Sequence, residues 1–283
     1  MVTLTRKIRF SAAHRYYLSD RSPEENTRLF GPCAYPHGHG HDYVAEVTLA
    51  GAIDPSNGMV VNISELKSIL SSEVMSILDG EYLTAEHPLM AGRIPATEVI
   101  ADLIWVRVDA ALRARALPAT LQQIVVAESR SLWSGCTASP TNPEHRMYTL
   151  TRVYEFAAAH RLHSECLDPN ANRELFGKCN NPHGHGHNYV LEVTLKGDPD
   201  PRTGLLVDLA EMDRIVNAEV VDRYDHRHLN LDIEEFRELN PTSENLVKVI
   251  WDRLDPYFSE DSLHRVTIRE TERNIFTYER DPR

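Results

Sequence analysis

The chain has 283 residues, which is room for two domains of ordinary size, each with its own core. A hydrophobic share of 42% and a charged share of 25% are those of a globular protein, and no apolar run approaches the ~20 residues that cross a bilayer. The formal charge of −12 argues against a nucleic-acid partner but leaves room for a small anionic substrate held by a local basic cluster.

In chain order, alternation predicts a long first strand from about Thr3 to His14, with no apolar leader ahead of it, so a cytoplasmic location is expected. A loop carrying Cys33 follows, then a His39-Gly40-His41 step into a second strand, Tyr43 to Leu49. A Pro/Gly-rich turn at 54–58 leads to a helix with the capping-box-like start Asn62-Ile63-Ser64-Glu65. Leu66, Ile69, Leu70, Ile77 and Leu78 fall on one face of that helix, which predicts a core face. A second helix opens near Thr97 with Ile100, Leu103 and Ile104 inward, and strands Gln123 to Glu128 and Ser131 to Ser134 close the unit.

The same unit is then written again. A shift of 146 takes His14 to His160, Cys33 to Cys179, His39 to His185, His41 to His187, Asp79 to Asp225 and Glu98 to Glu244, without a gap from Phe10 to Glu98. Glu128 meets Glu270 at a shift of 142. The expected division is a first unit 1–135, a Pro/Ser/Thr-rich joint 136–146, and a second unit 147–283. Each unit reads ββααββ, an α+β fold with two helices on one face of an antiparallel sheet. Such small open sheets leave edges that association would cover, so a homo-oligomer is expected.

Histidines at alternating strand positions share one face, and three imidazoles bind a divalent metal while leaving a coordination position open. His160, His185 and His187 form such a set, and His14, His39 and His41 form its copy. Cys136 and Cys166, like Cys33 and Cys179, read as thiols, because four cysteines are too few for a disulfide scaffold. Cys179 lies in a Gly/Pro/Asn-rich loop beside the triad, where a bound cation would make a thiolate base available; packing is its alternative role. Asp225-His226 reads either as a proton relay or as a charge pair at a helix end. Glu270 is either a solvated strand residue or an acceptor for an amino-pyrimidine edge. Thr242, Ser243 and Glu244 stand at the second helix start, where capping is the simpler reading.

These residues resemble the 6-pyruvoyl-tetrahydropterin synthase / 6-carboxytetrahydropterin synthase family. The likeness rests on Phe156 to His163, Phe176-Gly177-Lys178-Cys179-Asn180-Asn181-Pro182, Gly184-His185-Gly186-His187-Asn188-Tyr189, Tyr224-Asp225-His226, Asn240 to Asn245 and Arg269-Glu270-Thr271. It covers the second half closely and the first more loosely. The resemblance implies the tunnelling fold, in which units assemble into barrels, and one Zn²⁺ per unit on the histidine triads. It also implies Cys179 as base, Asp225-His226 reaching in from a neighbouring unit, and Glu270 as the pterin anchor, with Thr242, Ser243 and Glu244 near the substrate. The implied substrate is 7,8-dihydroneopterin triphosphate, which loses triphosphate. Five residues separate Cys179 from His185, as in the pyruvoyl type, whereas the Asn-Pro-Thr-Ser-Glu run looks more like the carboxy type of the queuosine route. A non-catalytic pterin- or metal-binding module is the alternative of another class. Arg161, Arg173 and Lys178 are candidates for the triphosphate.

The first half keeps Cys33, Asp79 and Glu128 but has Gly80 where His226 stands, so a metal-binding half with weak or no turnover is expected, with His87 as a lesser stand-in. Three tandem chains would supply six units, and complete sites would lie only among second halves.

Overall fold

The computed structural model describes residues 1–139 and 145–280. It divides into two compact units, one formed by Met1–Leu150 with Lys196–Ala210, the other by Thr151–Leu195 with the chain from Glu211 onward. Of the expected joint at 136–146, residues 140–144 lie outside the described residues.

In the first unit, β1 (Val2–His14) and β2 (His39–Gly51) pair antiparallel along their full length, Val2 opposite Gly51 and His14 opposite His39. β3 (Tyr82–Leu83) runs parallel to the end of β1, while β4 (Ala119–Ala127) and β5 (Leu132–Ala138) continue the sheet beyond β2, giving the order β5-β4-β2-β1-β3. The second unit repeats the plan with β6 (Arg146–His160), β7 (His185–Gly197), β8 (Arg227–His228), β9 (Leu263–Arg269) and β10 (Ile275–Glu279), in the order β10-β9-β7-β6 with β8 beside β6. The α+β expectation holds. β5 and β6 both extend further into the joint than alternation indicated, through Cys136 to Ala138 and back to Arg146.

The helices lie as their apolar faces dictate. Leu66, Ile69, Leu70 and Leu78 are buried, with Ile100 and Ile104 of the long helix Thr97–Ala114. In the second unit Met212, Ile215, Leu246, Ile250 and Leu254 do the same. The first helix of each unit is interrupted by a π-turn, Ser71–Met75 and Asn217–Val221. The extra residue rotates the helical face, so Val74 takes a fully buried place and Ile77 is turned partly outward. Asn62 caps its helix through the Ser64 N–H rather than through a reciprocal box with Glu65.

The loop that carries each cysteine holds structure that the residue pattern did not announce: a capped helix, Pro23–Phe30 or Pro169–Phe176, and one 3₁₀ turn ending at Ala34 or Asn180. Asn172, wholly buried, donates to the carbonyls of Ser164, Leu167 and Asp168 and locks this loop; Asn26 does the same in the first unit. No helix among the described residues is long and apolar enough to cross a membrane.

Candidate metal and pterin site

The strand pairing brings each triad together. His160 ends β6, while His185 and His187 open β7 on the same sheet face, and the ligand nitrogens of the three lie within 4.8 Å of one another. The backbone turn that permits this requires Gly184: its φ is +69°, and a side-chain carbon there would sit 2.6 Å from the His160 carbonyl oxygen. Gly38 serves the first triad in the same way, with φ +65° and the His14 carbonyl at 2.5 Å.

The nitrogens fit a divalent cation. Nε2 of His160 and Nε2 of His185 are 3.2 Å apart, and those of His14 and His39 are 3.0 Å apart. Tetrahedral zinc with bonds of 2.0–2.1 Å places its ligand nitrogens about 3.3 Å from each other. Nε2 of His187 and Nε2 of His41 are buried without a hydrogen-bond partner, a cost that a bound cation removes. The other ring nitrogen is committed: Nδ1–H of His160 donates to the Pro241 carbonyl at 2.9 Å, which leaves Nε2 with its lone pair. In the first unit Nδ1 of His14 lies 3.0 Å from the Tyr43 hydroxyl. Burial, with His39 and His41 alongside, pushes His14 down to about 3, so it is neutral, as a ligand must be. Burial likewise lowers His160 and His185.

Glu270, at the end of β9, faces this centre. Its Oε1 is 3.8 Å from Nε2 of His187 and 4.0 Å from that of His160, and the side chain is 14% exposed. Burial alone would raise this carboxyl, but hydrogen bonds from Asn274 (3.1 Å) and Ser243 (2.9 Å), with the two imidazoles, hold it below its ordinary value. Ser243 therefore does more than start a helix. Thr242 is the N-cap, accepting from the Asn245 N–H, and Glu244 is exposed in the first turn. The roles of Ser243 and Asn274 in setting Glu270 were not legible in the residue pattern; Asn274 sits four residues on, across a turn that has no motif of its own.

Cys179 is half-buried, its carbonyl fixed by the Leu162 N–H at 2.8 Å. Burial and the Glu270 carboxylate push its thiol up, while Lys178 pulls it back. None of the four cysteines is in a disulfide, so all are thiols, as expected, and burial sends Cys136 to about 12. Lys178 acts on both Cys179 and His185; Arg161 reaches the Asn180 carbonyl and His163, and Arg173 is engaged with Asn170 on its own helix.

Asp225 and His226 stand together at the sheet edge beside β6. Oδ1 of Asp225 accepts from the Ala157 N–H at 2.8 Å, and the His226 N–H donates to the Ala157 carbonyl at 2.6 Å. Oδ2 meets Nδ1 of His226 at 2.7 Å, and the imidazole is 83% exposed beside a cleft of about 600 Å³ whose lining includes His187, Asn188, His228 and Asp232. His226 holds a left-handed backbone, φ 59°, which a non-glycine residue adopts at a cost; Gly80 holds φ +83° at the matching place. Asp79 keeps the strand contact, accepting from the Ser11 N–H at 2.8 Å. His87 is committed elsewhere: its Nδ1 accepts from the Leu89 N–H and its Nε2 faces Glu81.

A family model described as 6-pyruvoyl tetrahydropterin synthase matches residues 3–138 and again 149–281. The chain belongs to this family. It is similar to a putative 6-pyruvoyl tetrahydrobiopterin synthase of Caenorhabditis elegans, 49% identical over 131 residues, covering 46% of this chain and 93% of that protein. It is also similar to the 6-pyruvoyl tetrahydrobiopterin synthase of Homo sapiens, 40% identical over 129 residues, covering 46% of this chain and 89% of the other. Among solved structures, the 6-pyruvoyl tetrahydropterin synthase of Caenorhabditis elegans aligns with 46% identity and a TM-score of 0.46, over 48% of this chain and 96% of that one. Each such relative matches about half of this chain, so the chain is two family units, two tunnelling-fold ββααββ modules, in tandem.

Proposed function

We propose that the chain is a zinc-dependent lyase of the 6-pyruvoyl-tetrahydropterin synthase type, which converts 7,8-dihydroneopterin triphosphate with loss of triphosphate, and that turnover resides in the second unit. The observation that carries this is the convergence of Glu270 on the His160–His185–His187 triad, within 4.0 Å of two of its nitrogens, beside a thiol on a fixed loop.

His160, His185 and His187 would hold a Zn²⁺, which would supply Lewis acidity toward the hydroxyls of the substrate side chain and so acidify the neighbouring C–H bonds. Glu270, kept ionised by Ser243 and Asn274, accepts the amino-pyrimidine edge of the pterin and so places the side chain at the triad. Thr242 and Glu244 border the same helix start, and Lys178 offers the nearest positive charge to the triphosphate end. Cys179 removes a proton as thiolate. Asp225 fixes the His226 tautomer, so that Nε2 exchanges the second proton.

The His226 imidazole is 83% exposed at the sheet edge, and we read it as serving the triad of another unit, as the family resemblance implies. We therefore read the protein as a homo-oligomer. Native mass measurement tests the three-chain assembly expected from the repeat. Substrate and charge fit a cytoplasmic enzyme with no nucleic-acid or membrane partner.

Product analysis tests the reaction. Formation of the 6-pyruvoyl product with triphosphate release is expected; acetaldehyde release would mark the carboxy type instead, and pterin binding without turnover would mark a binding module.

A further inference from the structure

The two triads are alike, but the space beside them is not. The second repeat has Leu162, Asn240 and Thr242, one apolar and two polar residues, at three positions that the first repeat fills differently. Their first-unit counterparts, by the shift of 146, are Tyr16, Ile94 and Ala96, and all three are buried and pack on one another. Tyr16 is 4% exposed, its ring 5.0 Å from that of His14 and 6.0 Å from that of Phe30. Cys33 and Leu205 pack against the same cluster.

The polar groups at the helix start are also engaged. Ala96 caps its helix without a side-chain acceptor, where Thr242 has one. Glu98, 2% exposed, accepts the Leu206 N–H at 3.1 Å. Thr97 is bonded to Ser134 at 2.6 Å, whereas Ser243 donates to the anchor Glu270. The Ile94 N–H is taken by the Thr203 carbonyl at 2.9 Å, so the segment 203–206 closes over this corner within the first compact unit.

We infer that the first unit is a closed metal site, in which the Tyr16 ring and Leu205 stand where the pterin enters the second unit. The chain thus binds one pterin and not two. An aromatic ring in the place of a heteroaromatic one keeps the pocket packed and avoids a void, which would cost stability. The loss of the relay histidine and the filling of the pocket are then two separate marks of one division of labour. This rests on the reading that the second unit binds a pterin.

The test is calorimetric titration of the zinc-loaded protein with biopterin, a pterin that has no leaving group. Wild type is expected to bind one biopterin per chain, Tyr16→Phe one, and Tyr16→Leu, which installs the residue found at 162, two. Two sites in wild type, or one still in folded Tyr16→Leu, would overturn the inference. No binding by wild type with one site in Tyr16→Leu would remove the functional reading and leave the closed site standing; no binding by either would remove both. If Tyr16→Leu does not fold, Glu270→Ala decides alone: no binding is expected, and one remaining site would overturn the inference.

Discussion

Asp225 divides its carboxylate between two tasks: one oxygen takes the Ala157 N–H of its own sheet at 2.8 Å, the other takes Nδ1 of His226 at 2.7 Å. Only the first task survives at Asp79, which holds Ser11 in the same way and has Gly80 beside it. The two units thus share a structural anchor and differ in a chemical one. Asp225→Asn should lower kcat by about 10²–10⁴, the usual worth of a positioned acid or base, while zinc content and pterin affinity stay as in wild type. An equal loss of zinc would show that the carboxylate acts only on the fold.

His226 carries a backbone cost that Gly80 does not, and nothing lies within 4 Å of where a side chain at Gly80 would begin. His226→Gly should therefore raise stability by about 1 kcal/mol while turnover is lost, a rise in Tm of about 2–4 °C. Gly80→His should show the opposite sign in stability. Thermal unfolding of both variants reads this out, and a falling Tm in His226→Gly would contradict it.

Much of this was legible in the residues. The doubled register placed both triads, because strand alternation sets their histidines on one face once the two strands of each unit pair. What the pattern could not reveal depends on the tertiary fold. The π-turns at Ser71–Met75 and Asn217–Val221 have no apolar signature, yet they set the exit of Asp79 and Asp225. Ser243 read as a cap because its partner Glu270 is distant in sequence, and Tyr16 carries no signal in the pattern, since its burial is a tertiary property.

As the proposed acceptor for the pterin, Glu270 would make a hydrogen bond to a charged group, worth about 1.5–3 kcal/mol. Glu270→Gln should thus weaken pterin binding by roughly 10- to 100-fold. Titration with biopterin measures this; unchanged affinity would take the anchor role from Glu270.

Each triad should take one divalent ion. Metal analysis is expected to give two zinc ions per chain, one after His187→Ala and one after His41→Ala. Zinc bound at about a thousand times its Kd adds roughly 4 kcal/mol to the folded state, so chelation should lower Tm and zinc should restore it. A Tm indifferent to chelator would count against both sites.

Acid stability should depend on Asp102. Burial alone would raise its carboxyl, but the Tyr148 hydroxyl at 2.6 Å, Arg146 at 2.6 Å and Arg93 at 3.0 Å hold it below the ordinary value. A depressed carboxyl stabilises fully above its unfolded pKa of about 3.9 and loses that contribution as pH falls through the lower folded value. Asp102→Asn should cost about 1.5–3 kcal/mol at neutral pH by leaving the half-buried Arg93 and Arg146 without their carboxylate, and should flatten the acid limb of the stability curve. Denaturant unfolding between neutral and acid pH checks both.

The central claim, a lyase with one working unit, is tested most directly by product analysis with 7,8-dihydroneopterin triphosphate on wild type, Cys179→Ala and Cys33→Ala. The account predicts 6-pyruvoyl product and triphosphate from wild type and from Cys33→Ala at similar rates, and at most about 1% of that rate from Cys179→Ala. Full activity in Cys179→Ala, or its loss in folded Cys33→Ala, would contradict it.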